Sequence, residues 1–323
     1  NENTLLHRAA LDGQVGVVKV MIMIGADVNA VNKDKLTPLH IIGLNGHVVI
    51  AQVLIQNGAD INAINKDKLT PLHLVALHGH ADVATLLIQN GADMYAVGMV
   101  KETVLHLAAQ EGHVDVAKVL IQNGAGVNAV DRYNNTALHL AIQERHLGVT
   151  KLLIQNGADV NSDKRGKGTP LHIAAYNGHV YVGKMLIQNG ADVNAVDKYN
   201  MTALHIAALQ GHVDVTKLLI LNDADVNAVN KGNGTALRNA AGQRHVVLTL
   251  QLLCFGAAID KKALADDKTG LLGPINNRMN LLHQAGKRIR TSLMSNEERR
   301  FMWNLAFSFT IQHPAAAFKA YYT

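Results

Sequence analysis

The chain has 323 residues, 48% of them hydrophobic, and holds no run of about 18 apolar residues, which excludes a helical membrane span by hydropathy. The opening Asn1-Glu2-Asn3 predicts no secretory leader, and the single cysteine, Cys254, cannot close an internal disulfide, which fits a reducing, cytoplasmic setting. The net charge of +5 is uneven: ten basic residues and four acids follow residue 260, so that segment carries +6 and the rest −1, and the basic balance is no argument that the longer part binds nucleic acid.

A period of 33 runs through most of the chain. Thr4, Thr37, Thr70, Thr103, Thr136, Thr169, Thr202 and Thr235 are each 33 apart, and a fixed spacing of this size marks a repeat array. In the most regular copy, Leu72, Leu74 and Val75 predict a short helix with one apolar face. It follows Thr70-Pro71, where the first helical turn has no use for proline's missing N–H. Gly79 ends it in a left-handed conformation. Asp82 to Gln89 reads as a second helix with Val83, Leu86 and Leu87 inward, ended by Gly91, and residues 62–69 read as an extended hairpin turned by Asn and Asp. Helices this short are marginal alone, so neighbouring copies must bury them.

Along the chain the copies drift. The first lacks a preceding hairpin arm and ends its second helix in Met23-Ile24, where later copies have Gln-Asn; this predicts a piece cut from a longer protein. The fourth has an apolar tip, Gly98-Met99-Val100, and the fifth has Arg145 in the helix-ending glycine slot, which predicts either a different turn or a residue held at positive φ. The sixth has the most basic tip, from Lys164 to Gly168, and the eighth puts Arg238 in a histidine slot and Arg244 in a glycine slot. From Lys261 the period is lost and 266–270 reads as a loop. Asn280 to Gly286 echoes Thr4 to Ala10 as a decayed ninth copy, and a capping box at Ser295 and Glu298 starts an aromatic-rich helix.

The recurring Thr-Pro-Leu-His, Gly-His and Asn-Gly-Ala-Asp phrases resemble the ankyrin repeat, in eight copies over residues 1–260. The resemblance implies an all-α solenoid of stacked helix-turn-helix units with hairpin loops, closed by a helical segment over 261–323. It also implies that a partner protein lies in a concave groove lined by hairpin tips and first-helix ends. Carried onto this sequence, the tip residues are Leu36, Lys66, Leu69, Met99, Val100, Arg132, Tyr133, Asn135, Arg165, Lys198, Tyr199 and Met201. The helix-end residues are Leu77, His78, Gln110, Glu111, Gln143 and Tyr176. The large apolar members, Leu36, Leu69, Met99, Tyr133, Tyr176 and Tyr199, stand where a solvated turn would be polar, and the basic tips suit an acidic or aromatic-accepting segment.

Candidate chemistry is weak beside this surface. Seven histidines share the Thr-x-Leu-His slot and seven follow the glycine slot. A catalytic or metal residue is needed once, whereas a structural one is needed in every copy, and the family resemblance implies that the first set bridges adjoining hairpins. His73, His78 and His80 are close in sequence but have no fourth ligand or zinc spacing. Asn29, Asn62, Asn128, Asn161, Asn194 and Asn227 occupy a slot that in the family resembles a site of asparagine hydroxylation; a turn-stabilising role explains them as well. No nucleophile elbow or phosphate-binding loop occurs. The reading is a non-enzymatic protein-binding module with no cofactor, metal or small-molecule substrate.

The near-identical Val-Leu-Ile-Gln-Asn-Gly-Ala-Asp runs resemble ankyrin proteins of intracellular bacteria, some secreted to engage host proteins, which implies an effector in the host cytosol. The competing reading is a targeting arm for a catalytic domain outside this chain. A third is nucleic-acid binding by the segment with Lys287-Arg288 and Arg299-Arg300.

Overall fold

Thr37 shows why each copy starts a helix where it does. Its backbone is extended, its side chain accepts the His40 N–H, and the His40 ring turns back to the Thr37 N–H, a reciprocal cap on the first orphan donors. Pro38 follows at the first helical position, as do Pro71 and Pro170 in their copies. The same cap opens the first helix of every copy from Thr4 to Thr202.

The computed structural model describes residues 3–277 and divides into two compact units at Arg165 and Gly166. The first unit holds five helix pairs: α1 (Leu5–Leu11) with α2 (Val15–Met23), α3 (Pro38–Asn45) with α4 (Val48–Gln56), α5 (Pro71–His78) with α6 (Ala81–Gln89), α7 (Val104–Glu111) with α8 (Val114–Gln122), and α9 (Ala137–Gln143) with α10 (Leu147–Gln155). First helices stack on first helices, α1 through α9, and second helices on second, α2 through α10. The second unit repeats the plan with α11 (Pro170–Asn177) and α12 (Val180–Gln188), α13 (Ala203–Gln210) and α14 (Val213–Ile220), and α15 (Ala236–Gly242) and α16 (Val246–Cys254). It adds α17 (Lys261–Asp266), packed on α15, and a helical turn over 272–277. Among the described residues there is no strand, only two isolated bridges, Val97 to Thr103 and Val196 to Thr202.

The core is the stacked faces. Leu39, Ile42, Leu54, Leu72, Leu87, Leu105, Leu120, Leu138 and Leu153 are all fully buried in the first unit, each contributing about 1.5–3 kcal/mol by leaving water. In α6 the inward set is Val83, Ala84 and Leu87; Leu86, expected inward, is half-buried because it lies one helical step off the facing second helices. α17 starts where the 33-residue period is lost, and Asp260 caps it by accepting the Ala263 N–H at 2.6 Å. The decayed copy at 280–286, the aromatic helix after Ser295 and the basic pairs beyond Lys287 lie outside the described residues.

Two slots carry the left-handed residues that end each helix. Gly46, Gly79, Gly112, Gly178 and Gly211 close first helices at φ between 73 and 83. Arg145 takes the same conformation at φ 66, and α9 ends one residue early, so both expected consequences of that swap occur together.

Candidate protein-binding surface

The hairpins at Asn32, Asn65, Asp131, Asp197 and Asn230 are each built on that one side chain. Asn65 is buried, its backbone N–H reaches the Leu69 carbonyl at 3.0 Å, and its Oδ1 accepts the N–H groups of Asp67 and Leu69. Asp131 and Asp197 do the same beneath Tyr133 and Tyr199, whose N–H groups donate to them at 2.8 Å. Gly98 has no such side chain, and Glu102 substitutes by accepting the Val100 N–H at 2.8 Å. Neighbouring tips are joined by Lys66 N–H to Asp34 C=O and Arg132 N–H to Val100 C=O in the first unit. Lys198 N–H to Gly166 C=O and Lys231 N–H to Tyr199 C=O do the same in the second. The tips are therefore fixed platforms rather than loose loops.

On the first unit's platforms Lys66, Met99, Arg132 and Tyr133 are exposed, with Met99 at 53% and Tyr133 at 56%. The Arg132 guanidinium donates to the Met99 carbonyl at 3.0 Å, so its charge is held against the preceding tip. At the first-helix ends His78, Gln110, Glu111 and Gln143 are exposed. The His78 ring is lowered from its ordinary pKa by burial, then by the nearby His80 and His113. In the second unit Tyr176 and Tyr199 are 59% and 58% exposed, and the Lys198 ammonium lies 4.8 Å from the centre of the Tyr199 ring, a cation–π pair at the surface. Arg165 is exposed at φ 47.

Other members of the expected set also serve the scaffold. Leu36 and Leu69 are half-buried; their carbonyls accept the rings of His7 and His40, and the Leu69 side chain packs beside Gly98. Leu77 and Val100 are half-buried, with the Leu77 carbonyl accepting His113 Nε2 at 3.1 Å. Met201 is half-buried, its carbonyl accepting His172 Nε2 and its sulfur touching Asn230 Nδ2. Asn135, expected at an exposed tip, is buried: its amide turns inward to donate to Asp131 Oδ2 at 2.7 Å. Sequence reasoning passed over a row of exposed side chains on the hairpin arms, Val31, Ile64, Val97 and Val130, and the 69% exposed Tyr95. The signal available was Tyr95 standing alone in the asparagine slot.

The histidines occupy two structural sites. In the Thr-x-Leu-His set Nδ1 faces threonine, and in five of the seven Nε2 reaches a carbonyl 29 residues on: His7 to Leu36, His40 to Leu69 and His106 to Asn135 in the first unit, His172 to Met201 and His205 to Gly234 in the second; His73 and His139 Nε2 are buried without such a bond. In the other set the ring covers the preceding copy's glycine; a β-carbon on Gly79 would meet the His113 ring at 2.6 Å. The asparagine slot is likewise a link. Asn29 Nδ2 donates to Gly58 C=O at 3.0 Å and its Oδ1 accepts the Asp60 N–H at 2.7 Å. Among the described residues no group of three or more His, Cys, Asp or Glu is placed to hold a metal ion, and burial pushes the half-buried Cys254 thiol up. No helix of the described residues is long and apolar enough to cross a membrane.

Two family models match the chain, both for ankyrin repeats: one for three copies over residues 6–98 and 96–164, one for many copies over 171–220. Neither describes a catalytic domain. Among solved structures, that of the human ASB11 ankyrin repeat domain is similar, at 28% sequence identity and a TM-score of 0.62, with 69% of this chain and 99% of that one covered. Among curated proteins none matches the chain.

Proposed function

Since this chain belongs to the ankyrin-repeat family and is therefore a protein–protein interaction module, we propose that it binds its partner through the tips and first-helix ends of its units. The observation that carries this reading is the set of aromatic and thioether side chains Met99, Tyr133, Tyr176 and Tyr199, each more than half exposed on backbone that hydrogen bonds already hold in place. Preorganised aromatic anchors lose little freedom on binding, and truncating one typically costs about 2 kcal/mol or more. The partner segment is acidic, matching Lys66, Lys198 and Arg165. We read 261–323 as a helical cap on the array, supported by the packing of α17 on α15. The near-identical repeats support an effector role in a host cytosol.

The test is affinity capture from animal-cell lysate with the full chain and with the Tyr133→Ala/Tyr199→Ala variant, with melting temperatures measured alongside. A partner that is lost at unchanged melting temperature supports the reading. Retention by the variant removes the tyrosines from the interface, and a large fall in melting temperature makes them structural.

A further inference from the structure

Five second helices run out into the same reactive dipeptide: Asn57, Asn90, Asn123, Asn156 and Asn189 each stand before a glycine. Three more Asn-Gly pairs lie at Asn45 and Asn177, which end first helices, and at Asn233 in the last hairpin. Glycine has no side chain to shield its backbone nitrogen, so that nitrogen, once it has lost its proton to water, attacks the asparagine Cγ. A C–N bond forms, closing a five-membered imide, while the Cγ–Nδ2 bond breaks and Nδ2 leaves as ammonia with a proton from water. A second water then opens the ring at either carbonyl. The product is an aspartate, or an isoaspartate whose backbone runs through the side chain, and water is the only other reactant.

The attack needs a released glycine N–H, a carboxamide free to turn, and a ψ that lays the nitrogen against Cγ. The second-helix ends withhold all three. Their Nδ2 groups donate to the carbonyl four residues back, Asn57 to Val53, Asn90 to Leu86, Asn123 to Val119, Asn156 to Leu152 and Asn189 to Met185, each at 2.8 Å. The glycine that follows donates its N–H three residues back, as Gly58 does to Ile55 C=O at 3.1 Å and Gly157 to Ile154 C=O at 3.2 Å. The asparagine ψ lies between 11° and 26°, which holds the nitrogen on the side away from Cγ. Asn45 is held more loosely, with Nδ2 3.3 Å from Ile41 C=O and the Gly46 N–H on Ile42 C=O.

At Asn177 and Asn233 the bond to the carboxamide is missing. Neither side chain has a hydrogen bond among the described residues, and Asn233 is exposed and Asn177 half-buried. Only the glycine is held, Gly178 N–H on Ala174 C=O and Gly234 N–H on Asn230 Oδ1 at 2.8 Å. We propose that Asn177 and Asn233 are the sites at which the folded chain deamidates, while hydrogen bonds of the fold guard the second-helix asparagines. Asn177 follows the exposed Tyr176 and Asn233 stands in a hairpin turn, so each conversion puts a negative charge on the surface proposed for an acidic segment. The loss of affinity with age that this entails rests on that proposed surface; the chemistry does not.

The full chain is held at mildly alkaline pH, folded and in concentrated urea, and peptide mapping by mass spectrometry follows the exchange of NH2 for OH at each pair. In urea all the pairs react at similar rates. In the folded chain Asn177 and Asn233 react first, and the second-helix asparagines are expected to lag by about fivefold to tenfold, the worth of one hydrogen bond. Asn230→Ala removes the acceptor of the Gly234 N–H and should quicken Asn233 while leaving Asn177 as it was. Because that variant also loosens the hairpin, Asn177→Gln/Asn233→Gln is measured beside it. Glutamine would have to close a larger ring and reacts far more slowly, so the early product should vanish at an unchanged unfolding midpoint. None of these readings uses a partner, so failure of the proposed binding surface leaves them standing. Equal rates at every pair in the folded chain, either of the two sites lagging with the second-helix set, or early product persisting in the glutamine variant would each overturn the proposal.

Discussion

His40 and Leu69 are 29 residues apart, and the His40 Nε2–H donates to the Leu69 carbonyl at 3.0 Å while Nδ1 accepts the Thr37 N–H at 3.1 Å. One neutral imidazole thus satisfies a helix start in its own copy and a hairpin carbonyl in the next. The bond pair also sets the tautomer, since Nδ1 must accept and Nε2 must donate. Covalent sequence and stacking order are tied together at a buried point.

Replacing His40 with alanine leaves the Thr37 N–H without a partner and the Leu69 carbonyl with the Asn65 N–H alone, in a place water does not reach. An unsatisfied buried group costs about 1–3 kcal/mol, so His40→Ala should lower stability by about 2–4 kcal/mol in urea unfolding. His78→Ala, at an exposed helix end, should change it by less than about 0.5 kcal/mol. Equal effects at the two positions would remove the structural role of the repeated histidine.

The same burial makes the fold sensitive to acid. Burial lowers His73 and His139 to about 4, with Lys164 adding to the shift at His139. A histidine depressed in the folded state stabilises the fold above its unfolded pKa of about 6.5, because only the unfolded chain takes up the proton on the way down. Each should therefore remove up to about 1.4 kcal/mol per pH unit between pH 6.5 and 4, and lose no more below that. Chemical denaturation across this range should show the decline, and His73→Gln/His139→Gln should flatten it. A flat profile in the wild-type chain would mean that these rings are protonated in the fold.

Thr37, His40 and Gly79 were legible because they act within one copy or at a fixed distance to the next, and every copy repeats the demand. The side chains of Leu36, Leu69 and Asn135 were harder, because a tip's exposure is set by what the following hairpin lays against it: Gly98 against Leu69, and for Asn135 its own Asp131. Tyr95 did carry a signal, since it breaks the slot that Asn29, Asn62 and Asn128 hold, but nothing in the repeat pattern says that its ring stands in solvent. α17 falls where periodicity stops, and only its aspartate cap announces it.

Arg238 stands where the other copies have histidine, and its guanidinium pairs with Asp266 at the end of α17 while also reaching the Gly232 carbonyl. The pair is partly exposed, at 30% and 45%, so its net worth is about 0–1 kcal/mol. Its effect should therefore appear locally. Asp266→Asn should speed amide exchange across Lys261–Asp266 and leave α13 and α14 unchanged, read by hydrogen–deuterium exchange. Equal protection in the variant would show that α17 is held by its packing on α15 alone.

Gly79 and His113 test whether the glycine slot answers to conformation alone. Gly79 is at φ 83, and the His113 ring lies across its face with Nε2 bonded to the Leu77 carbonyl at 3.1 Å. Gly79→Ala should cost about 1–2 kcal/mol in backbone strain and about 1 kcal/mol more because the ring is displaced and its bond lost. His113→Ala loses the bond but leaves the glycine at ease. In the double variant there is no ring to displace, so the two costs should fall short of their sum by about 1 kcal/mol, a coupling that a double-mutant cycle measures directly. Additivity within about 0.3 kcal/mol would mean that the ring yields without penalty and that the slot needs glycine only for its φ.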